Sequence, residues 1–287
     1  MDKKNLYLLG LCALFVILKL ISITTTNFNL YGDEAQYWLW SRELSFGYYS
    51  KPPLLSWLIR LFTSIFGNSF FILKIIPVTL YCFSSCLVFI FAKKLFNDTS
   101  LALCCALTFF LLPSVSLSSF LLSSDILLIF FWTGGLIQVL RTKENPSYFN
   151  FTVLGLLLGL TFLAKYAAIY FLFSLILLFA IEKGFRSVFL RSKFKLFLSF
   201  LILILILLPN ILWNYQNEWS TLGHTADNAS LDKIKLNPIG LFEFLFSQIV
   251  MIGPVLFIGF LLCSYKQIKI NVNEKFLICF ALPGLLI

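Results

Sequence analysis

Long apolar runs recur along the chain and constrain its fold more than any other feature of the sequence. A helix that crosses a bilayer needs about 20 consecutive, mostly apolar residues. Runs of this kind cover residues 6–23, 70–92, 99–119, 122–140, 148–163, 166–182, 196–213, 240–263 and, over a shorter length, 276–287. The pattern predicts an all-α polytopic membrane protein with one transmembrane domain over residues 1–287.

The composition excludes the soluble alternatives. Of the 287 residues, 60% are hydrophobic and only 12% are charged, whereas soluble domains carry about 25% charged residues. Too few polar side chains remain to cover the outside of a water-soluble globule. A soluble globular enzyme, a disordered chain and a secreted disulfide scaffold are excluded on this ground.

Lysine and arginine residues are distributed unevenly around the runs. With the N-terminus in the cytoplasm, most of the 22 basic residues flank the runs on the inside, as the positive-inside rule requires. This orientation places two polar segments, 24–69 and 214–239, on the outside. Lys19 lies within the first run and is expected to extend toward the outer interface. The flanking residues also account for the net charge of +9, and no basic block typical of nucleic-acid binding is present.

Two further features concern cofactors and the end of the chain. The seven cysteines lie in apolar runs, without the spacing of a metal site, and no glycine-rich nucleotide loop occurs. The sequence therefore predicts neither a metal nor a cofactor. The last run, 276–287, is about 18 Å of helix, which is too short for a bilayer. Its length predicts an incomplete span and a truncated chain.

The first outside segment begins with the chemistry of a helix N-terminus. Within residues 31–40, Asp33 and Glu34 lie in the first turn, where acids complement the helix dipole. Tyr37 and Trp40 share a helical face with Asp33 and favour the membrane interface. Glu34 is rotated by about 100° from Asp33, so the two acids are expected to have different partners. An acid pair that only stabilises the dipole is the alternative.

A lysine and two prolines follow in the same segment. Proline is common at the first position of a helix, so Lys51-Pro52-Pro53 predicts that a helix starts close behind Lys51. A cation beside free backbone N–H groups forms a good phosphate site at the bilayer surface. An ordinary lysine that extends to the interface is the alternative.

A third acid, Asp125, stands after Ser123 and Ser124 at the outside end of a run. Serine and aspartate are typical of a helix N-cap, which would account for Asp125 structurally. A carboxylate so close to the hydrocarbon region is also costly enough to indicate a function.

Taken in order, these motifs resemble the integral-membrane glycosyltransferases of GT-C fold. The similarity is greatest to the branch that contains protein O-mannosyltransferases and lipid A aminoarabinose transferases. It rests on residues 33–38, 51–54, 124–125, 159–166 and 209–216, which run from Asp-Glu-Ala to Pro-Asn-Ile-Leu-Trp-Asn-Tyr-Gln. The resemblance implies a GT-C-like helix bundle with interfacial helices in an outer-face loop.

The resemblance also implies an activity and roles for individual residues. Members of the family pass a sugar from a polyprenyl-phosphate carrier to an acceptor at the outer face of the membrane. Asp33 matches the first-loop acid that is taken as the catalytic carboxylate, and Glu34 matches its neighbour. Lys51 matches a lysine that holds the carrier phosphate, and Asp125 matches an acid near the sugar pocket.

The residue types suit this chemistry independently of the resemblance. A departing phosphate needs positive charge, which Lys51 can supply together with Lys165 or Arg42. An acceptor hydroxyl needs a general base, for which Asp33 is suited, and attack opposite the phosphate would invert the anomeric carbon. His224 is either a substrate contact or incidental. The expected catalytic residues are Asp33, Glu34 and Asp125, and the expected substrate-binding residues are Lys51, Tyr37, Arg42, Lys165 and His224.

These expectations name partners and leave alternatives open. The partners are a polyprenyl-phosphate-linked sugar, a glycolipid or protein acceptor and membrane lipids, with no nucleic acid. The expected location is a bacterial inner membrane, with the active site on the outer face. A truncated, inactive relic is one alternative. A transporter or flippase for a lipid-linked sugar is another, although it would need charges at mid-bilayer, whereas here they collect at one surface.

Overall fold

The computed structural model describes residues 3–25, 29–229, 238–264 and 271–285, and they are almost entirely helical. The helices are α1 (Lys3–Thr25), α2 (Gly32–Trp40), α3 (Leu54–Phe66), α4 (Phe70–Phe96), α5 (Thr99–Leu111), α6 (Pro113–Ser118), α7 (Ser124–Glu144), α8 (Tyr148–Ala164), α9 (Ile169–Ile181), α10 (Lys183–Arg191), α11 (Lys193–Gln216), α12 (Ser220–Ala229), α13 (Pro238–Ile252), α14 (Pro254–Ser264) and α15 (Val272–Leu285). A 3-10 turn, Tyr166–Ala168, precedes α9.

Several of these helices have the length and apolarity of membrane spans. Helices α4, α7 and α11 each meet both requirements, and α9 with α10 would add a fourth span if this pair, bent by 108°, is counted as one. The protein is therefore an all-helical membrane protein, as the sequence predicts. Helices α2 and α3 also form in the segment 24–69, where the helix-start chemistry predicts them.

Two of the apolar runs predicted as spans are each divided into two helices. The run 99–119 is divided into α5 and α6, because Pro113 has no N–H group to continue the α5 ladder. The run 240–263 is divided into α13 and α14 at Gly253, which has a φ of 91° and precedes Pro254. The apolarity of a run predicts that it is buried in lipid, but apolarity alone does not show where a proline interrupts the helix.

The segment 214–239 also differs from its prediction as an outside loop. Helix α11 continues to Gln216, and α12 follows it after a short turn. In that turn, Glu218 and Trp219 have φ values of 55° and 57°. Lys233 and Lys235, which the predicted orientation places outside, lie beyond the described residues.

Close approach between α8 and α11 holds the centre of the bundle together. A Cβ atom added at Gly155 would lie 2.2 Å from the carbonyl oxygen of Ser199, and one at Gly159 would lie 2.9 Å from Ile206. Two glycines four residues apart allow helix backbones to pack directly in a membrane. The same core includes Phe171, which fills the space beside Gly135.

Two ion pairs mark one end of the bundle. At this end, Lys94 pairs with Glu144, and Lys275 Nζ lies 2.7 Å from Glu182 Oε1. We call this the far end. The opposite end carries α2, α3 and α12, and we call it the loop end.

Lys19 occupies a different environment from the predicted one. Its side chain is only 4% exposed, and its ammonium group donates to the carbonyl of Ser116, at 2.9 Å, and to the hydroxyl of Ser119. The rings of Phe15 and Phe110 lie beside it. Helix α6 has only six residues, so the carbonyl groups at its C-terminal end need hydrogen-bond donors from elsewhere. The ammonium group of Lys19 is such a donor.

Candidate active site

A cavity of about 580 Å³ opens at the loop end of the bundle. Four parts of the chain surround this cavity, namely the residues before α3, the start of α9, the end of α11, and α12. Three of the predicted substrate-binding residues line it together, namely Lys51, Lys165 and His224. These residues are separated by 114 and 59 positions in the sequence, so the fold brings them to one place.

Lys51 is held by a turn that leads into α3. The N–H group of Tyr48 donates to the carbonyl of Lys51 at 3.2 Å, and the two prolines that follow Lys51 are buried. Helix α3 starts at Leu54 directly behind them. Lys51 is half-buried on the cavity wall, which is a suitable position for a cation that meets an anionic ligand.

Lys165 reaches the cavity from the junction of α8 and α9. Its backbone is extended between the two helices, and its ammonium group lies 2.5 Å from the carboxylate of Asp125 in the first turn of α7. Both side chains remain accessible, at 35% and 51% exposure. Such an accessible pair adds little stability, so it can exchange partners when an anion enters the cavity.

Tyr37 connects the pair to the first-loop acids. Burial raises the pKa of its phenol, and the carboxylates of Asp33 and Asp125 raise it further, while a hydrogen bond with Ser124 acts in the opposite direction. Tyr37 is 4% exposed, whereas Asp33 is exposed. Tyr37, through Ser124, therefore links the helix that carries Asp33 to the helix that carries Asp125.

Glu34 has a different environment from its neighbour Asp33. Its carboxylate oxygens lie 2.7 and 2.6 Å from Lys74 Nζ, and both side chains are buried. The same carboxylate accepts hydrogen bonds from the N–H groups of Leu122, at 2.8 Å, and Tyr31, at 2.9 Å. Because Leu122 lies just before α7, Glu34 fixes the helix that carries Asp125. This geometry favours a structural role for Glu34 over the catalytic one that the sequence predicts.

Arg42 lies apart from the two lysines of the cavity. Its guanidinium is 5.7 Å from the ring centre of Trp38, and it lines a second cavity, of about 550 Å³, with Trp40, Tyr48 and Trp213. The structure therefore does not bring Arg42 to Lys51. His224 does line the first cavity, from the unpredicted helix α12, with its ring 5.5 Å from that of Tyr49.

Several polar residues at the site escaped the sequence predictions. Lys74 was not singled out by the sequence analysis, although a lysine in an apolar run is itself a signal of a buried partner. Asn210 and Asn214 are spaced by four residues in α11, and both are buried on the cavity wall. Their polar character on one helical face was the signal that could have identified them.

The described part of the chain offers no metal site. No group of three or more His, Cys, Asp or Glu side chains comes together among the residues that the structure describes.

Comparison with known proteins gives relatives of one kind. Lipid A galacturonosyltransferase RgtD of Rhizobium johnstonii is 29% identical over 280 residues, which cover 95% of this chain and 57% of the relative. Lipopolysaccharide core galacturonosyltransferase RgtA of the same organism is 26% identical, over 72% of this chain and 41% of the relative. An undecaprenyl phosphate-alpha-4-amino-4-deoxy-L-arabinose arabinosyl transferase of Pseudomonas aeruginosa is 25% identical, over 66% and 30%. The chain thus spans about half, or less, of the length of these curated relatives. No solved structure matches it significantly.

The fold and the site together define a class of protein. It is a helical membrane protein with a cavity at one end, and two lysines line this cavity, one of which pairs with the carboxylate of Asp125. The family model for dolichyl-phosphate-mannose-protein mannosyltransferase matches residues 50–213, which is more than half of the chain. The chain belongs to this family, and its predicted resemblance to GT-C glycosyltransferases is confirmed.

Proposed function

We propose that this chain belongs to a glycosyltransferase that moves a sugar from a polyprenyl-phosphate carrier to a glycolipid at the outer face of a bacterial membrane. The observation that carries the proposal is the placement of Lys51 and Lys165 on one cavity at the loop end. A glycolipid acceptor is favoured over a protein because the names of the relatives specify lipid A or lipopolysaccharide core. A polyprenyl donor is favoured by the undecaprenyl phosphate in the name of a third relative.

The two lysines account for the leaving group. When the bond between the sugar C1 and the phosphate oxygen breaks, the electron pair stays on the phosphate, which gains a negative charge. Lys51 and Lys165 stabilise that charge in a partly enclosed cavity, where electrostatic interactions are stronger than in water. When Lys165 binds the phosphate it leaves its ion pair with Asp125, so the Asp125 carboxylate becomes available to a sugar hydroxyl.

Asp33 accounts for activation of the acceptor. It is exposed, so an acceptor hydroxyl can approach it without rearrangement of the fold. As the hydroxyl oxygen attacks C1, its proton passes to the Asp33 carboxylate. Attack on the face opposite the phosphate inverts the anomeric carbon. Tyr37 holds the positions of Asp33 and Asp125 relative to each other.

Transfer by the purified full-length protein tests the proposal. The donor is a synthetic polyprenyl-phosphate sugar, the acceptor is lipid A, and the readout is the mass of the acceptor together with release of polyprenyl phosphate. Lys51→Gln should lower kcat/KM about 100-fold, as expected for loss of a group that stabilises developing charge. Lys93→Gln is the matched control, since Lys93 is exposed at the end of α4. Unchanged transfer by Lys51→Gln would contradict the phosphate assignment, and no transfer by the wild type would favour an inactive relic.

The proposed base is tested in the same assay. Asp33→Asn keeps the size of the side chain but cannot accept the proton, so transfer should fall below detection while membrane insertion is unchanged. Measurement of protein in the washed membrane fraction provides the control. Transfer that survives Asp33→Asn would remove Asp33 from the mechanism.

The proposal includes a topology for the single transmembrane domain. We place the N-terminus in the cytoplasm and the loop end outside, because most basic flanking residues then lie inside. Single cysteines at Glu43 and Glu144 in a cysteine-free variant give the test with a membrane-impermeant maleimide. Labelling of intact cells should modify position 43 and leave position 144 unmodified, and the reverse pattern would invert the topology.

A further inference from the structure

We propose that Tyr166, Asn210, Asn214 and Thr221 form a positioning network that sets the spacing between Lys51 and Lys165. We call this set the loop-end network. The inference rests on the proposed function, because it assigns these residues to the binding of the donor phosphate through the two lysines. None of the four is proposed to contact the reacting atoms.

The centre of the network is the hydroxyl group of Tyr166. It donates to Asn210 Oδ1 at 2.8 Å and accepts from Asn214 Nδ2 at 3.0 Å. The other amide hydrogen of Asn214 also reaches the carbonyl of Asn210, at 3.0 Å. Tyr166 directly follows Lys165 in the chain, so these bonds fix the backbone from which Lys165 extends.

Two side chains of the network hold the loop that precedes Lys51. Asn210 Nδ2 donates to the carbonyl of Phe46 at 2.6 Å, and the hydroxyl of Thr221 donates to the carbonyl of Tyr48 at 2.6 Å. Between these two tethers, Gly47 packs against the ring of Trp213 so closely that an added Cβ would lie 2.3 Å from it. The loop is thus fastened at three consecutive residues.

The fastened loop positions Lys51 through Tyr48. Besides the bond from its N–H group to the carbonyl of Lys51, Tyr48 donates its hydroxyl to the carbonyl of Trp40 at 2.9 Å. Hydrogen bonds from Tyr166 through Asn210 to Phe46, followed by the backbone from Phe46 to Tyr48, therefore link the residue after Lys165 to the turn that holds Lys51. Lys51 and Lys165 are 114 positions apart in the sequence, and the loop-end network connects them through a few side chains.

The composition of the network favours a positioning role over simple stabilisation. Asn210 and Asn214 are 3% and 1% exposed in a mostly apolar helix. Asn214 Oδ1 is buried without a hydrogen-bond partner among the described residues, which costs free energy. Apolar side chains of similar volume could fill this space without that cost, but they could not fix the direction of the Phe46 and Tyr48 carbonyls.

A double-mutant cycle tests the inference. Tyr166→Phe removes both bonds of the hydroxyl and keeps the ring, and it should lower kcat/KM for the donor about tenfold. In the background of Lys51→Gln the same change should have almost no further effect, because the spacing between the two lysines no longer matters once one of them is missing. Tyr148→Phe, an exposed tyrosine at the far end, is the matched control and should leave kcat/KM unchanged in both backgrounds.

The outcomes separate this inference from the proposed function. If the wild type transfers no sugar, the proposed function fails first. If the wild type is active and Tyr166→Phe has no effect, or has the same effect with and without Lys51, the positioning role is refuted. Thr221→Val provides a second route if Tyr166→Phe does not fold, with Thr142→Val as its control, since the buried Thr142 hydroxyl bonds only within its own helix at 2.7 Å. Thr221→Val should show the same dependence on Lys51.

Discussion

Replacement of Glu34 by glutamine should destabilise the fold strongly, although the two side chains are nearly the same size. The side chains of Glu34 and Lys74 are 2% and 8% exposed, so the Glu34→Gln variant leaves an ammonium group buried without a counter-charge. Removal of one partner of a buried ion pair costs about 3–5 kcal/mol. The carbonyl of Phe120, 3.0 Å from Lys74 Nζ, and the new amide oxygen remain as neutral acceptors, which do not replace the charge.

The structure provides two comparisons that isolate the cause. Glu34→Gln combined with Lys74→Met removes both charges and keeps an acceptor for Leu122, so its stability should return to within about 2 kcal/mol of the wild type. Glu144→Gln breaks the pair with Lys94 at the far end, where the glutamate side chain is 62% exposed. That change should cost less than about 1 kcal/mol.

Equilibrium unfolding in mixed micelles, with the helical signal followed against the fraction of denaturing detergent, measures all three variants. A Glu34→Gln variant within about 1 kcal/mol of the wild type would refute the assignment of a buried, uncompensated charge. If the double variant were no more stable than Glu34→Gln alone, the loss of stability would come from altered packing and not from an unpaired charge. Either result would return Glu34 to consideration as a catalytic group.

Two further predictions follow from the packing and from a pKa shift. Because Tyr37 has a raised pKa in the folded protein, its contribution to stability is fully present below the unfolded pKa, about 10, and is lost as the pH rises through the folded pKa. The Tyr37→Phe variant should therefore lose less stability above pH 10 than the wild type does, as measured by thermal unfolding across pH. Gly155→Ala should destabilise the protein by about 1–3 kcal/mol, since the new Cβ would meet the carbonyl of Ser199. Gly184→Ala, with open space around it in α10, should be neutral or stabilising in the same unfolding assay, and equal losses at both glycines would contradict the packing explanation.

Local chemistry made part of this site predictable from sequence. The acids at the start of α2 and the prolines before α3 determine helix starts by interactions within a few residues, and the structure has helices at both places. The amino-acid types in these segments also pointed to a cation for phosphate and a carboxylate for proton transfer. Such signals need no knowledge of distant parts of the chain.

The remaining features depend on contacts between distant residues. Glu34 and Lys74 are 40 positions apart, and Asn210 is 164 positions from the carbonyl that it holds. No local pattern pairs them, so Glu34 was expected to be catalytic and Asn210 was not singled out. Helix α12 was missed because its sequence is short and mostly polar, although its Thr221 is fully buried.

The tethers from Asn210 and Thr221 end on main-chain carbonyls, not on side chains. An exposed side chain of the loop is therefore free to change while the loop path is kept, although Gly47 and Tyr48 are constrained by Trp213 and Trp40. Phe46, for instance, is 52% exposed even though its carbonyl is fixed. Under the proposed function, a protein built in this way can alter the surface beside the cavity and keep its two lysines at the same spacing. The choice of acceptor can thus change between related proteins while the class of donor stays the same.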